Sequence, residues 1–173
     1  FYVSRVEIER NVKSTKIMVY TSRPGMIIGR SGEGASKLKA DLVTAMKKRG
    51  VAIPEDFKFD IVEVANPDAD AAIIGCMIAE GLEKRLPYRR VIKQAIEQAM
   101  AARGVKGARI YVGGRLAGSE IARSEQIKRG SIPLQTFRAD IDFARERANL
   151  AYGVIGIKVW IYKGQVFNAE EKK

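Results

Sequence analysis

The 173-residue chain has no histidine and one cysteine. Without histidine there can be no Ser-His-Asp triad and no histidine-ligated metal. A single cysteine can close neither a disulfide within the chain nor a C-x-x-C site. No cofactor and no metal site is expected. Cys76 lies among Ile74, Met77 and Ile78 and reads as a small buried hydrophobe in a helix. Such sparse cysteine usage fits a reducing, cytosolic compartment. The chain also lacks an apolar run long enough to span a bilayer, a signal peptide and a lipidation motif. No G-x-x-x-x-G-K-[ST] loop is there to cradle a nucleoside triphosphate. The chain opens on Phe1 rather than Met, which points to trimming, processing or disorder ahead of it.

Positive charge is in excess. Thirty-one Lys and Arg against 20 Asp and Glu give a net charge of +11. At this size that is an extended positive field suited to a polyanion. A membrane surface would need a basic amphipathic helix or a lipid anchor, so nucleic acid is the expected partner. Neither a membrane nor a small-molecule substrate is expected.

Apolar periodicity divides the chain into two α+β units, residues 1–66 and 67–173. In the first, "VSRVEIER" and "KIMVY" read as a hairpin near residues 3–21. A broken helix follows from Pro24 to Arg49, then a loop with Pro54, then a strand from Phe57 to Val64. In the second, Asn66 is expected to cap a helix that has Pro67 in its first turn. Ile74, Ile78, Leu82 and Leu86 recur every four residues along it, and Pro87 stops it. A second helix spans Tyr88 to Ala102. Three or four strands follow, from Ala108–Val112 to Gly153–Tyr162, the clearest strand in the chain. "DFARERANLAY" fits helix or strand equally. The tail "NAEEKK" is expected to fray.

The break in the first helix carries chemistry. Gly29-Arg30-Ser31-Gly32 is a G-x-x-G loop entering an amphipathic helix, whose Ala35, Leu38, Leu42 and Met46 share a face. Glycines let a phosphate approach backbone N–H groups. The following helix start favours an anion, and Arg30 adds a mobile charge. Met26, Ile27 and Ile28 would pack the short first helix and wall a base-binding groove. Two strands, two helices joined by G-x-x-G and a third strand describe a type II KH module, which clamps single-stranded nucleotides.

The second helix points the same way. Val91, Ile92, Ala95, Ile96 and Ala99 make one apolar stripe, while Arg89, Arg90 and Lys93 share another arc with Glu97 at its edge. Lys84 and Arg85 add charge just before it. A fixed cation row holds a separated strand by its phosphates, and each contact contributes about 0.7 to the log-log salt slope of single-strand binding.

Beyond single motifs, the chain resembles the bacterial-type small-subunit ribosomal protein three family over nearly its whole length. "SRVEIER", "RPGMIIGRSGE", "YRRVIKQAIEQAM", "GVKGARIYVGGRL", "GSEIARSE", "IPLQTFRADIDFA" and "AYGVIGIKVWIYKG" follow the family's order and spacing. The resemblance implies an N-terminal type II KH domain, then a C-terminal domain of two helices on a three- or four-stranded sheet. It implies a non-enzymatic part of a bacterial or organellar ribosome that binds small-subunit ribosomal RNA in the head and touches neighbouring head proteins. It also implies lining of the channel through which mRNA enters, keeping that mRNA single-stranded. Arg89, Arg90 and Lys93 match the family's basic cluster there. Unwinding would draw its energy from translocation. Ribosomal RNA contacts are expected from Lys84, Arg85, Arg123, Lys128 and Arg129.

Three departures from the family's pattern stand out: the sequence opens at the first strand, where the family has a basic segment and a helix before it, the loop has one basic residue where the family often has two, and the basic tail is short. Two other readings are a free-standing KH regulator of mRNA, which leaves the second unit unexplained, and a metal-dependent nuclease using Asp140 and Asp142, for which no third ligand is evident. Arg138 reads either as an RNA contact or as an ion-pair partner of those acids. Gly113, Gly114 and Gly118 read as turn glycines, and Trp160 reads as core.

Overall fold

The computed structural model describes residues 2–11, 14–50 and 56–167. Residues 12–13 within the expected hairpin, the loop expected around Pro54 and the tail expected to fray lie outside the described residues. The chain divides into two compact units, Phe1–Ala65 and Asn66–Lys173, and the architecture is α+β throughout.

The first unit is built from β1 (Val3–Arg10), β2 (Ser14–Thr21), α1 (Pro24–Ile28), α2 (Glu33–Lys48) and β3 (Asp56–Glu63). Strand β2 is central, antiparallel to β1 and parallel to β3. Its β-branched residues suit a pleated, half-buried surface. The register aligns Val6, Val19 and Ile61 in one row and Ile8, Ile17 and Phe59 in the next, so one face of the sheet is apolar. Thr15, Thr21 and Phe57 of that face are buried. Val6 and Ile8, on the edge strand, are 53% and 64% exposed. Ile27 anchors α1 as its one buried residue. In α2, Ala35, Leu42 and Met46 are half-buried and Leu38 is exposed.

The second unit holds α3 (Ala71–Glu83), α4 (Tyr88–Ala101), β4 (Gly107–Gly114), β5 (Arg123–Gly130), β6 (Ala139–Leu150) and β7 (Gly153–Gln165). Its four strands are antiparallel, in the order β5-β4-β7-β6. Both helices pack on one face. Ile74, Ile78 and Leu82 of α3 and Ile92, Ile96 and Ala99 of α4 meet Ile110 and Val112 of β4 and Ile155, Ile157, Val159 and Ile161 of β7 in one buried cluster.

Three expectations change and one open alternative is settled. Pro67–Ala69 is a separate 3-10 turn, and the cap of α3 is Asp70, whose carboxylate accepts from the Ala72 and Ile73 N–H groups at 3.0 and 3.1 Å. Asn66 and Asp70, four residues apart, both suit a helix start, and the side chain that reaches the N–H groups of α3 is that of Asp70. Leu86 lies beyond α3 and is 51% exposed, because the helix closes at Lys84 with the Leu86 N–H donating to Gly81 O and that of Arg85 to Leu82 O. Residues 139–150 are strand, resolving the helix-or-strand ambiguity. Cys76 is half-buried rather than fully buried, and that partial burial, followed by the Glu146 charge, pushes its thiol up to about 11.

Candidate nucleic-acid interface

Pro24 starts α1 and fixes its first turn. The helix ends after five residues at Gly29, whose φ of 71° and ψ of −173° take the backbone out of the helix. Arg30 to Gly32 form one 3-10 turn with Ser31 at φ 53°, and Gly32, at φ 77°, precedes the first residue of α2. The glycines at both ends of the loop thus occupy conformations that cost other residues about 1–3 kcal/mol. No side chain caps α2. The Glu33 N–H donates to Arg30 O, and the N–H groups that follow have no side-chain partner at the cap, the arrangement that suits a phosphate. Glu33 in the first turn works against an anion there. Arg30 is exposed and has no ion pair among the described residues. Ile28 is 37% exposed at the loop's edge and Met26 58%, which leaves an apolar rim beside the charge.

Sequence reading missed Gly34. A Cβ at this position would sit 2.5 Å from Ile27 O and 3.0 Å from Ile28 O. The two helices therefore touch backbone to backbone, and that contact sets the loop's curvature. The signal was the third glycine of "GRSGEG". Gly34→Ala is expected to force α1 and α2 apart and to destabilise the first unit by about 1–3 kcal/mol. Hydrogen exchange, with protection lost in residues 24–48 and kept in the second unit, checks it.

In the second unit, α4 buries Ile92, Ala95, Ile96 and Ala99, which turns Arg89, Arg90 and Lys93 outward. With Gln94 and Glu97 they line an open depression of about 450 Å³. Val91, the stripe's remaining member, is half-buried, its methyls over Gly81.

The three cations are not equivalent. Arg89 donates through Nη2 and Nε to Glu125 Oε1 on β5 at 2.9 and 3.2 Å, and Tyr88 Oη donates to the same oxygen at 3.1 Å. These donors hold the Glu125 carboxyl below its usual range, and the carboxylate in turn raises Arg89. Arg90 and Lys93 have no acid partner among the described residues. Glu97 is turned partly aside by Arg129, 3.5 Å away.

Glu125→Gln is therefore expected to release Arg89 and to steepen the salt dependence of single-strand RNA binding by up to about 0.7. Acid acts in the same direction. A carboxyl whose folded pKa is depressed keeps its charge above its ordinary range and loses the pair as pH falls through the lowered value. A salt-titrated filter-binding series on both proteins reads this out.

The other sequence-predicted cations scatter. Lys84 is paired with Glu80 one turn back. Arg85 holds φ 60°, a left-handed position where glycine is usual. Arg123 is exposed at the start of β5. Lys128 faces away from the helices, in register with Arg109. Arg129 lies on the helix side, beside Glu97. Arg138 stands over the Phe167 ring at 5.2 Å. It is not paired with Asp142, which accepts from the Ala71 N–H at 3.0 Å and from Lys163 Nζ at 3.1 Å. Asp142 is thus a structural acid, and no cluster of three or more potential metal ligands occurs among the described residues. Gly113 and Gly114 belong to β4 itself, while Gly118 sits in a 3-10 turn.

A sequence model of the KH domain family matches residues 2–69, and one for the C-terminal domain of ribosomal protein S3 matches residues 78–161. Small ribosomal subunit protein uS3 of Clostridium botulinum (strain 657) is 49% identical over 169 residues, covering 98% of this chain and 73% of that protein. The uS3 protein of Clostridium acetobutylicum is 48% identical over 173 residues, 99% of this chain and 75% of that protein. Small ribosomal subunit protein uS3c of Guillardia theta is 47% identical over 163 residues, 94% and 73% of the two chains.

Proposed function

Since this chain belongs to the ribosomal protein S3 family, a family of structural and non-enzymatic ribosomal components, we propose how it engages RNA in the small subunit. It binds ribosomal RNA in the head, contacts neighbouring head proteins and lines the channel through which mRNA enters. Arg90 and Lys93, with Arg89 beside them, hold incoming mRNA single-stranded there. The loop Gly29–Gly32 clamps a short single-stranded segment.

The observation that carries this reading is the ridge on α4. Two cations one helical turn apart lie on a helix whose opposite side is anchored in a rigid core. Neither has an acid partner among the described residues. Preorganised charge of this kind holds phosphates without moving far on binding. It stabilises the separated strand of a duplex and needs no hydrolytic step of its own.

The test is sedimentation of the tagged chain on sucrose gradients, alongside Arg89→Ala/Arg90→Ala/Lys93→Ala. Both are expected to migrate with small subunits, and subunits carrying the triple variant are expected to lose unwinding of structured mRNA. Unchanged unwinding overturns the channel role. A wild-type chain that stays at the top of the gradient overturns the ribosomal placement and favours a free KH regulator.

A further inference from the structure

The side of the β5-β4-β7-β6 sheet turned away from the helices is basic and aromatic. Strand register sorts its middle into three rows. The first runs Lys128, Arg109, Trp160, Phe143; the second Gln126, Tyr111, Lys158, Arg145; the third Ser124, Gly113, Gly156, Arg147. These rows contain no acid. On the opposite face the cations meet carboxylates, as in Arg89 with Glu125, Arg129 with Glu97 and Lys163 with Asp142. Arg145, Arg147 and Lys158 are exposed and have no acid partner among the described residues.

The aromatic groups sit where bases could stack. Phe143 is 46% exposed, its ring centre 5.1 Å from that of Trp160. The Arg109 guanidinium lies 4.9 Å from the Trp160 ring centre, steadied by donation to Gln126 Oε1 at 2.7 Å. Lys158 Nζ is 5.6 Å from the Tyr111 ring centre. The third row has no side chain at its centre, since Gly113 and Gly156 pair there. They floor a depression of about 680 Å³, walled in part by Tyr111, Arg145, Arg147 and Lys158.

Cations without counter-charges select a polyanion. Aromatic rings between them on a rigid sheet select one with unpaired bases, because stacking needs an exposed π-face and tolerates any sequence. A protein partner would have to bring clustered acids and a flat apolar surface together. We propose that this face is a second RNA site, separate from the α4 ridge. In it, bases stack on Phe143 and Tyr111 and over the glycine floor, and phosphates lie against Arg145, Arg147 and Lys158. Only the naming of the polyanion as RNA rests on the S3-family reading.

Trp160 is the single tryptophan of the chain and touches Phe143, so its fluorescence reports this face. The full chain is titrated with an unstructured oligouridine, in parallel with inorganic polyphosphate. Saturable quenching by oligouridine is expected, with polyphosphate competing for the site without quenching. Arg145→Gln/Lys158→Gln, two solvent-facing changes, should lower the log-log salt slope by about 1.4, or 0.7 for each phosphate contact, and weaken the quenching. Arg90→Gln/Lys93→Gln should leave the quenching in place. If labelled oligouridine binds with an unchanged slope in the sheet variant and Trp160 does not respond, the site is overturned and the face is left to a protein partner. A chain that enters small subunits while showing that result keeps its family role and loses only this site. No binding to oligouridine by the wild type overturns both the sheet site and the ridge.

Discussion

Reversing the two unpaired charges of α4, in Arg90→Glu/Lys93→Glu, is expected to give the largest loss of single-strand RNA affinity of any surface change in the second unit. Two phosphate contacts disappear, which flattens the log-log salt slope by about 1.4. Two carboxylates then face the incoming backbone, so the loss is greatest at low salt, where screening is weakest. Stability should hardly move. Both side chains are exposed, and surface changes of this kind stay within about 0.5 kcal/mol. Arg89→Ala is the informative contrast. Its guanidinium is already shared with Glu125 at 2.9 Å, so its removal should cost less affinity than Arg90→Ala and leave Glu125 and Tyr88 to re-pair. Affinity measured by anisotropy across a salt series decides. A double reversal with the wild-type slope would falsify the ridge as an RNA contact.

Legibility in the sequence followed how local the determining interactions are. Strand β7 was plain because Ile155, Ile157, Val159 and Ile161 fall at every second position and are all buried. Helix α4 was plain because its buried residues keep a helical period. Strand β6 was ambiguous because its helix-facing positions are Ala144, Glu146 and Ala148, while bulk and charge sit on the other side as Phe143, Arg145 and Arg147. Two of the three inward residues are alanine, and α3 meets the third through a glycine: a Cβ on Gly75 would lie 2.8 Å from Glu146 Cγ. A hydrophobicity pattern is blind to a strand whose buried face is lined with alanine. Trp160 was read as core because it lies in a strand of alternating bulk. Its even position in β7, out of phase with the four buried odd ones, places it on the open face, and that parity was present in the sequence. The Arg89–Glu125 pair was beyond reach, since 36 residues and a sheet register separate its partners. In the loop, the G-x-x-G pattern marked the turn, but the helix-to-helix contact that Gly34 permits depends on three-dimensional approach.

Ile78→Ala should cost more stability than any change considered above. The side chain is fully buried midway along α3, in the cluster that joins both helices to β4 and β7. Removing three carbons forfeits about 2.4 kcal/mol of transfer free energy, at about 0.8 kcal/mol each. The cavity term adds to that wherever the surroundings cannot close in. Closure is difficult here, because the neighbours are branched residues on a hydrogen-bonded sheet and alanines too short to reach across. The total should fall in the range of about 2–5 kcal/mol found for such truncations. Leu86→Ala, at a half-exposed position outside the helix, should cost far less, although the four-residue spacing alone would rank the two equally. Urea unfolding followed by Trp160 fluorescence is the measurement. That residue belongs to the second unit, so the signal isolates its transition even if the KH unit unfolds separately. A lower midpoint with an unchanged m-value is expected. Equal midpoints for Ile78→Ala and Leu86→Ala would mean that α3 does not pack through Ile78, and with it would go the rigid platform that fixes the cation ridge of α4.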